Sequence, residues 1–290
     1  MSFQFQPISL NGQDEYNRHF SLCGQKSSDY SFANLWGWGT EYGLEWCFCD
    51  GYILLRQTIP SLMYWAPVGD WSTVDWDLLR NKLPRDVLFI RVPEALKVLW
   101  EVRLGGIIVE ESREHWDYLY NIDELITLRG RKFHGKKNLL NQFLRDNDVQ
   151  FVPLDEKTVE QALLLQTEWL LWRNSENDDT LNSENRAIVK VFHDWAQLQG
   201  LMGAGLVVDG KMIAYTVAEV LDEHSIVIHF EKGCPQFKGV YQAINQMFLE
   251  KSCQGFALVN REQDLGDEGL RRAKMSYNPI GFLKKYKIQL

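Results

Sequence analysis

The sequence has little of what a secreted or membrane-spanning protein needs. None of its apolar runs approaches the roughly eighteen residues that a transmembrane helix requires. Its first ten residues, MSFQFQPISL, contain neither the basic leader nor the apolar stretch of a signal peptide. From these absences we expect a cytoplasmic protein without an integral membrane segment.

Cysteine and histidine are also scarce, and their spacing is uninformative. The five cysteines are odd in number and form no CxxC pair, which argues against a disulfide framework and against a structural zinc site. The six histidines include no HExxH or comparable pattern. We therefore predict buried thiols and no metal site.

Positive charge is in the minority, because 31 Lys and Arg residues face 39 Asp and Glu residues and the formal net charge is −8. Such a surface repels polyanions, so we expect no DNA partner. One local basic cluster is either the solvated face of a helix or a docking patch for a phosphate-bearing substrate. Within it, Arg131 and Lys132 are candidate anion-binding residues. The cluster consists of Arg129, Arg131, Lys132, Lys136 and Lys137.

What the 290 residues do contain is typical of a packed globular protein, with 45% hydrophobic and 24% charged residues. Two Asp-Gly turns, Asp50-Gly51 and Asp209-Gly210, separate strand-like runs and predict hairpins. Each hairpin is followed by the same predicted succession of strand, helix, strand and short helix. This order of elements predicts an internal structural repeat.

The repeat predicts how the chain is organised. We expect an N-terminal domain at residues 1–127, a basic connecting helix at 128–147 and a C-terminal domain at 148–290. For residues 149–290 the pattern predicts the order β-α-α-β-β-β-α-β-α-β. Asn182 and Ser183 are predicted N-caps of the second helix in that series.

Three stretches of sequence carry a resemblance to a known family. They are DYSFANLW at residues 29–36, HFEK with KGVYQ at 229–242, and above all VNREQDLGDEGLRRAK at 259–274. The chain resembles a bacterial family named after the C-terminal domain of phosphatidylglycerol lysyltransferase, which is similar to the Fem-type aminoacyl-tRNA-dependent transferases. The resemblance implies a mixed α/β (α+β) fold with two tandem GNAT-like (acyl-CoA N-acyltransferase-like) domains.

Two departures limit what the resemblance implies. GNAT acyl-CoA transferases hold the pyrophosphate on a glycine-rich loop before their central helix, but the corresponding segment here, at 236–241, has one glycine. Lys238 and Gly239 remain candidates for binding an anion there. The lysyltransferases also carry a membrane-spanning region ahead of this domain, and this sequence contains none, so a lipid acceptor is not implied.

The resemblance also places the chemistry. In GNAT folds the reacting groups meet where the fourth and fifth strands separate, which we place at residues 215–219 and 229–232. Glu231 and His229 are the candidate general bases there, although His229 has a purely structural alternative. Tyr277 could donate to an oxyanion or simply pack its ring in the core.

The stretch after residue 259 is dense in polar side chains where an apolar strand ends, as ligand-binding loops of open α/β sheets often are. We expect Asn260, Glu262 and Asp264 to bind a cationic amine or an aminoacyl group, with a solvated turn as the alternative. Arg271 and Lys274 are three residues apart and share a helix face that could bind a carboxylate or phosphate.

Two classes of function follow. The first is an aminoacyl or acyl transferase that forms an amide or ester on a small amine, a peptide or a lipid headgroup. Its donor is aminoacyl-tRNA, or acyl-CoA if the protein is an N-acetyltransferase. The second is a non-catalytic module that binds a small amine or amino acid, because a fold does not by itself establish catalysis.

Overall fold

The computed structural model describes residues 3–173 and 178–290. These form two compact units. Unit 1 comprises the chain as far as Asp117, together with Gln263–Glu268 and Phe282–Leu290. Unit 2 comprises Tyr118–Glu262 and Gly269–Gly281.

Strands and helices are interspersed along the described residues. The strands are β1 (Gln6–Pro7), β2 (Glu45–Phe48), β3 (Tyr52–Gln57), β4 (Met63–Gly69), β5 (Leu88–Pro93), β6 (Ile108–Glu111), β7 (Asp117–Asn121), β8 (Gln150–Pro153), β9 (Leu201–Val208), β10 (Lys211–Asp222), β11 (Ser225–Gly233), β12 (Leu258–Asn260), β13 (Gly281–Leu283) and β14 (Lys285–Gln289). The helices are α1 (Gln13–Ser21), α2 (Phe32–Trp38), α3 (Trp76–Lys82), α4 (Glu94–Arg103), α5 (Ile122–Thr127), α6 (His134–Asp146), α7 (Val159–Trp172), α8 (Asp179–His193), α9 (Val240–Ser252) and α10 (Glu268–Met275). Across these residues, no helix combines the length and apolarity needed to cross a bilayer.

Unit 1 is built on a sheet with the order β1-β2-β3-β4-β5-β14-β6. Its pairs are antiparallel except β4 with β5, which run parallel. The predicted Asp50-Gly51 hairpin is confirmed and joins β2 to β3. Trp100 is fully buried and packs edge-on against Phe89, with ring centroids 5.0 Å apart. Burying a side chain of this size stabilises the fold by about 2–3 kcal/mol.

Unit 2 contains the second sheet, with the order β13-β7-β12-β11-β10-β9-β8. The predicted hairpin between β9 and β10 is confirmed, and Asp209 and Gly210 both have positive φ, as a type I′ turn requires. Here β11 and β12 run parallel. Both sheets thus contain a parallel pair in the same place of the repeated succession, which confirms the predicted mixed sheets.

The strands separate at a different place from the one predicted. β10 and β11 stay paired from Ala214–Gly233 to Asp222–Ser225, so the two stretches chosen from the sequence do not part. β11 and β12 pair at three positions, the last being Val227 with Asn260, and separate beyond it. We call this opening the splay. A β-bulge in β11 leaves His229 unpaired, because Val217 pairs with Phe230 and Ala218 with Ile228.

Helix boundaries differ from the sequence expectations where tertiary contacts or local caps prevail. The predicted caps Asn182 and Ser183 lie inside α8, because Asp178 accepts a hydrogen bond from the Leu181 amide and starts the helix earlier. Earlier in the chain, α5 ends at Thr127 and a short 3-10 turn after Gly130 leads into α6.

The compact units also have bounds different from the predicted domains. β7 pairs with β12, so residues 118–127 belong to unit 2 instead of an N-terminal domain. At the other end, β14 inserts between β5 and β6, so the last strand of the chain completes the sheet of unit 1. The helix α6 of the predicted connecting segment belongs to unit 2.

Candidate functional site

Three ionisable side chains meet at the splay in unit 2. The bulge places His229 between two carboxylates, with Nδ1 2.7 Å from Glu262 Oε1 and Nε2 3.1 Å from Glu219 Oε2. The His229 and Glu219 side chains are 1% and 6% exposed, whereas that of Glu262 is 17% exposed. Glu262 is therefore the member of this cluster that a ligand reaches first.

The two carboxylates control the protonation of His229. Burial alone would lower the pKa of His229, but hydrogen bonds from the ring to Glu219 and Glu262 outweigh it and raise the pKa to about 9. At neutral pH the ring is an imidazolium that donates both N–H groups. The cluster then carries one positive and two negative charges.

The backbone holds Glu262 in an unusual conformation. Its φ is 55°, in the left-handed region that a non-glycine residue seldom adopts. The buried Asn260 side chain stabilises this turn by accepting a hydrogen bond from the Glu262 amide at 2.8 Å. Asn260, which the sequence assigned to ligand binding, therefore positions Glu262.

A second pair of charges spans the splay beside the first. Arg261 Nη2 donates to Glu231 Oε1 at 2.9 Å, and Asn245 of α9 donates to Glu231 Oε2 at 3.3 Å. Arg261 Nη1 is shielded from solvent and has no hydrogen-bond partner among residues 3–173 and 178–290. Within those residues Nη1 keeps its N–H groups for a further partner, although the guanidinium as a whole also interacts with Tyr277.

Tyr277 lies next to this arginine. Its hydroxyl accepts a hydrogen bond from Gln242 at 3.1 Å, and the Arg261 guanidinium lies 4.9 Å from its ring centroid. The Lys136 ammonium, from α6, lies 4.2 Å from the same centroid. Burial raises the pKa of Tyr277, so its hydroxyl stays protonated. The structure thus brings the predicted tyrosine to the candidate site.

Lys274 and Asp264 have internal partners. The Lys274 ammonium donates to the backbone carbonyl of Arg261 and so holds the start of the polar stretch. Asp264 belongs to unit 1, is fully buried, and accepts from Arg113 at 3.1 Å and from the Gly266 amide at 2.9 Å. Arg271 lies half-exposed on α10. Asp264 is therefore held inside unit 1, and its predicted role in binding stays a prediction.

The N-terminus of α9 packs closely against another helix. Gly239 has a φ of 90°, and a Cβ atom there would lie 2.3 Å from the carbonyl oxygen of Leu139 in α6. That backbone oxygen stands beside the start of α9, where a GNAT fold would bind pyrophosphate, and its partial negative charge disfavours an anion. Lys238, just before it, is exposed.

The basic cluster lies mostly on the surface. Lys132 bonds to both oxygens of Glu124, at 2.8 and 2.9 Å, while Arg131 is exposed. Arg129 and Lys137 are exposed as well. In the described part of the chain, no group of three or more His, Cys, Asp or Glu side chains is arranged to hold a metal ion.

Sequence reasoning missed a buried charge network in unit 1. The Lys285 ammonium donates to Asp29, and also to Asp117 at 2.6 Å and Gln263 at 3.2 Å. Arg91 donates to the other oxygen of Asp29. Burial alone would raise the pKa of Asp29, but Lys285 and Arg91 hold it well below its usual range. The only sequence signal was Asp29, the first residue of a family-like stretch.

The chain also matches a known protein family. The sequence profile described as phosphatidylglycerol lysyltransferase, C-terminal, matches residues 20–289. The chain belongs to this family. An uncharacterized curated protein from Mycoplasmoides gallisepticum is 24% identical over 186 residues, covering 63% of this chain and 58% of that protein. The match thus spans little more than half the length of that relative.

Solved structures agree with the fold. A conserved protein of unknown function from Bacteroides thetaiotaomicron is 29% identical, covers 99% of both chains and superposes with a TM-score of 0.89. L-PGS from Bacillus licheniformis is 14% identical with a TM-score of 0.68, over 98% of this chain and 92% of that one. FemX is 9% identical with a TM-score of 0.57, over 98% and 96%. The tandem GNAT-like fold expected from the sequence is confirmed.

Proposed function

We propose that this protein is an aminoacyltransferase whose reaction takes place at the splay of unit 2. It moves an aminoacyl group from aminoacyl-tRNA to an amine or hydroxyl group of an acceptor, forming an amide or ester. The observation that carries the proposal is the meeting of Glu219, His229 and Glu262 where β11 and β12 separate. Membership of the lysyltransferase family supports the same class of reaction.

The charge of this cluster suits an aminoacyl donor. With His229 as imidazolium, two glutamates leave one excess negative charge, which attracts the α-ammonium group of an aminoacyl ester. Glu262 is the most exposed of the three and is the residue that binds this ammonium or receives the acceptor's proton.

Arg261 supplies the electrophilic side of the reaction. Attack on the ester carbonyl creates an oxyanion, which is stabilised by donors already fixed in place. Arg261 is held by Glu231 through Nη2, while Nη1 lacks an acceptor in the described chain, so Nη1 is our candidate donor to the oxyanion.

The proton and bond balance is simple. The acceptor's N or O forms a bond to the carbonyl carbon, and its proton passes to the Glu262 carboxylate. The ester bond to the 3′-terminal ribose of the tRNA breaks, and that oxygen takes the proton from Glu262. We assign the base to Glu262 and not to His229, because a histidine with a pKa of about 9 is already protonated.

The start of α9 favours aminoacyl-tRNA over acyl-CoA as the donor. The Leu139 carbonyl beside Gly239 leaves little room for the pyrophosphate of CoA at this helix terminus. The exposed residues of the basic cluster, among them Arg129, Arg131 and Lys137, offer phosphate contacts that a tRNA could use. The acceptor is a small amine, a peptide or a lipid headgroup, and the family description favours the last.

The test supplies purified protein with a panel of radiolabelled aminoacyl-tRNAs or acetyl-CoA, together with amines, peptides and phosphatidylglycerol vesicles. We expect transfer from aminoacyl-tRNA only. Glu262→Gln should lower the rate by about 100-fold or more. Glu250→Gln, an exposed position on α9, is the matched control and should keep full activity. Transfer from acetyl-CoA alone, or an unaffected Glu262→Gln variant, would contradict the proposal.

One observation favours a second candidate, a non-catalytic module that binds a small amine or amino acid. Both ring nitrogens of His229 are engaged by carboxylates, so the histidine offers no base to a reaction. Thermal-shift measurements separate the two, since a binding module is stabilised by the amine alone and a transferase also by aminoacyl-tRNA.

A further inference from the structure

A groove in unit 2 lies outside the candidate site. It has a volume of about 610 Å³ and is bounded by α7, the β9–β10 hairpin and the segment after β11. This is within the size range of small-molecule sites in proteins. Its lining includes Leu165, Glu168, Trp172, Lys211, Met212 and Phe237.

The groove is separated from the candidate site along the strands of the sheet. On β10 its lining consists of Lys211, Met212 and Ile213, whereas Glu219 of the candidate site lies six residues beyond Ile213 on the same strand. A strand rises about 3.3 Å per residue, so Ile213 and Glu219 are roughly 20 Å apart. A ligand in the groove therefore does not occupy the splay.

The walls combine polar side chains with apolar and aromatic ones. Leu165, Met212 and Cys234 are buried and form the floor. Trp172 is 38% exposed, and Phe237 is the second aromatic residue of the lining. These surfaces suit a flat or aliphatic group of a ligand and offer aromatic faces to a cation.

The charges in the groove are unbalanced. Its lining contributes two carboxylates, Glu168 and Asp209, and one ammonium, Lys211. Lys211 binds Glu168 Oε1 at 2.7 Å. Glu168 Oε2 is shielded from water and accepts no hydrogen bond within residues 3–173 and 178–290. A carboxylate oxygen in that state is stabilised by an incoming N–H donor.

We infer that this groove is a binding site for a small amine carried on an apolar or aromatic body. The ammonium group binds Glu168, and the body lies between Trp172 and Phe237. Anionic ligands are excluded by the excess negative charge. The site is additional to the proposed transfer reaction, since it lies away from the splay and no bond is made or broken in it.

Isothermal titration calorimetry on the full chain tests this inference. The probes are 2-phenylethylamine and tryptamine, with 2-phenylethanol as the neutral analogue and phenylacetate as the anionic one. We expect the amines to bind and phenylacetate not to bind. Glu168→Gln should weaken amine binding about tenfold or more. Glu160→Gln, an exposed glutamate on the same helix, is the matched control and should bind like the wild type.

Trp172→Leu adds an independent check, because it keeps an apolar side chain and removes the aromatic face. It should weaken amine binding without a change in the circular dichroism spectrum. Equal affinity for the amine and for 2-phenylethanol would overturn the inference. So would amine binding that is lost in Glu262→Gln and kept in Glu168→Gln, since the ligand would then occupy the splay. Failure to detect aminoacyl transfer leaves this test unaffected, because it measures binding.

Discussion

The two units place the same side chain in opposite electrostatic environments. In unit 1, burial together with Arg91 and Lys285 lowers the pKa of His115 to about 4. In unit 2, hydrogen bonds to Glu219 and Glu262 overcome burial and raise the pKa of His229 to about 9. At neutral pH one imidazole is therefore neutral and the other charged.

The difference shows that burial alone does not set the charge of a histidine. Both rings are mostly removed from water, with side chains 22% and 1% exposed for His115 and His229, yet the neighbouring charges decide the direction of the shift. Unit 1 keeps its buried charges in a compensated network, and unit 2 keeps an excess of negative charge at the splay.

The largest expected effect tests the network of unit 1. Lys285→Met leaves Asp29 and Asp117 buried without their shared ammonium, so we expect it to lower the free energy of unfolding by about 3–5 kcal/mol in urea denaturation. The matched control is Lys287→Met on the same strand, whose partly exposed ion pairs should cost less than about 1 kcal/mol. Equal losses in the two variants would contradict a compensated network.

The next largest effect is the pH dependence that His229 gives to the free energy of unfolding. Its folded pKa of about 9 lies above the usual 6.5, so its stabilisation is complete below pH 6.5 and is lost as the pH rises to 9. Relative to His229→Gln, the wild type should lose about 3 kcal/mol of unfolding free energy over that window. Parallel pH profiles for the two proteins would show that the carboxylates do not hold the imidazolium.

His115 should give a smaller effect of opposite sign. Its folded pKa of about 4 lies below the usual value, so protonation of the unfolded chain destabilises the protein as the pH falls from 6.5 to 4. The span from 6.5 to 4 corresponds in full to about 3 kcal/mol. Because the His115 side chain is 22% exposed, water screens part of this effect, so compared with His115→Asn the wild type should lose about 2 kcal/mol across that window, measured by urea denaturation. A loss on the alkaline side instead would remove the contrast between the two histidines.

Removing a helix N-cap should have the smallest effect, and the effect should be the same in both units because a cap is a local contact. Asp75 caps α3 in unit 1 by accepting from the Leu78 amide at 2.9 Å, and Asn121 caps α5 in unit 2 by accepting from the Glu124 amide at 2.9 Å. Replacing either residue by alanine should lower the free energy of unfolding by about 1 kcal/mol. A cost several times larger in one unit would mean that its cap also takes part in tertiary packing.

Local patterns predicted much of the fold. The Asp-Gly turns and the succession of elements after them are confirmed, because turn chemistry and periodicity act over a few residues. The predicted caps of α8, Asn182 and Ser183, were wrong. Both are suitable caps within five positions of Asp178, and only the structure shows that Asp178 starts the helix. The cytoplasmic location stays a prediction.

The candidate site was only partly predictable. His229 and Glu262 were chosen from the sequence and lie together, but their partner Glu219 and the arginine beside Glu262 were not chosen as site residues. The predicted roles of Tyr277, Arg271 and Lys274 remain predictions. Neighbouring positions in sequence did not guarantee a shared site, because Glu262 and Asp264 belong to different units.

By itself, the sequence determined the secondary elements, the two hairpins and the family, because these depend on short-range patterns and on residue strings. Only the tertiary structure decided which charges meet. Asp29, Asp117 and Lys285 are brought together from distant parts of the chain by β14, which joins the first sheet. Likewise the bulge at His229 and the separation of β11 from β12 determine which carboxylates surround that ring. Pairing between distant strands, and not any local pattern, therefore sets the electrostatics of both units.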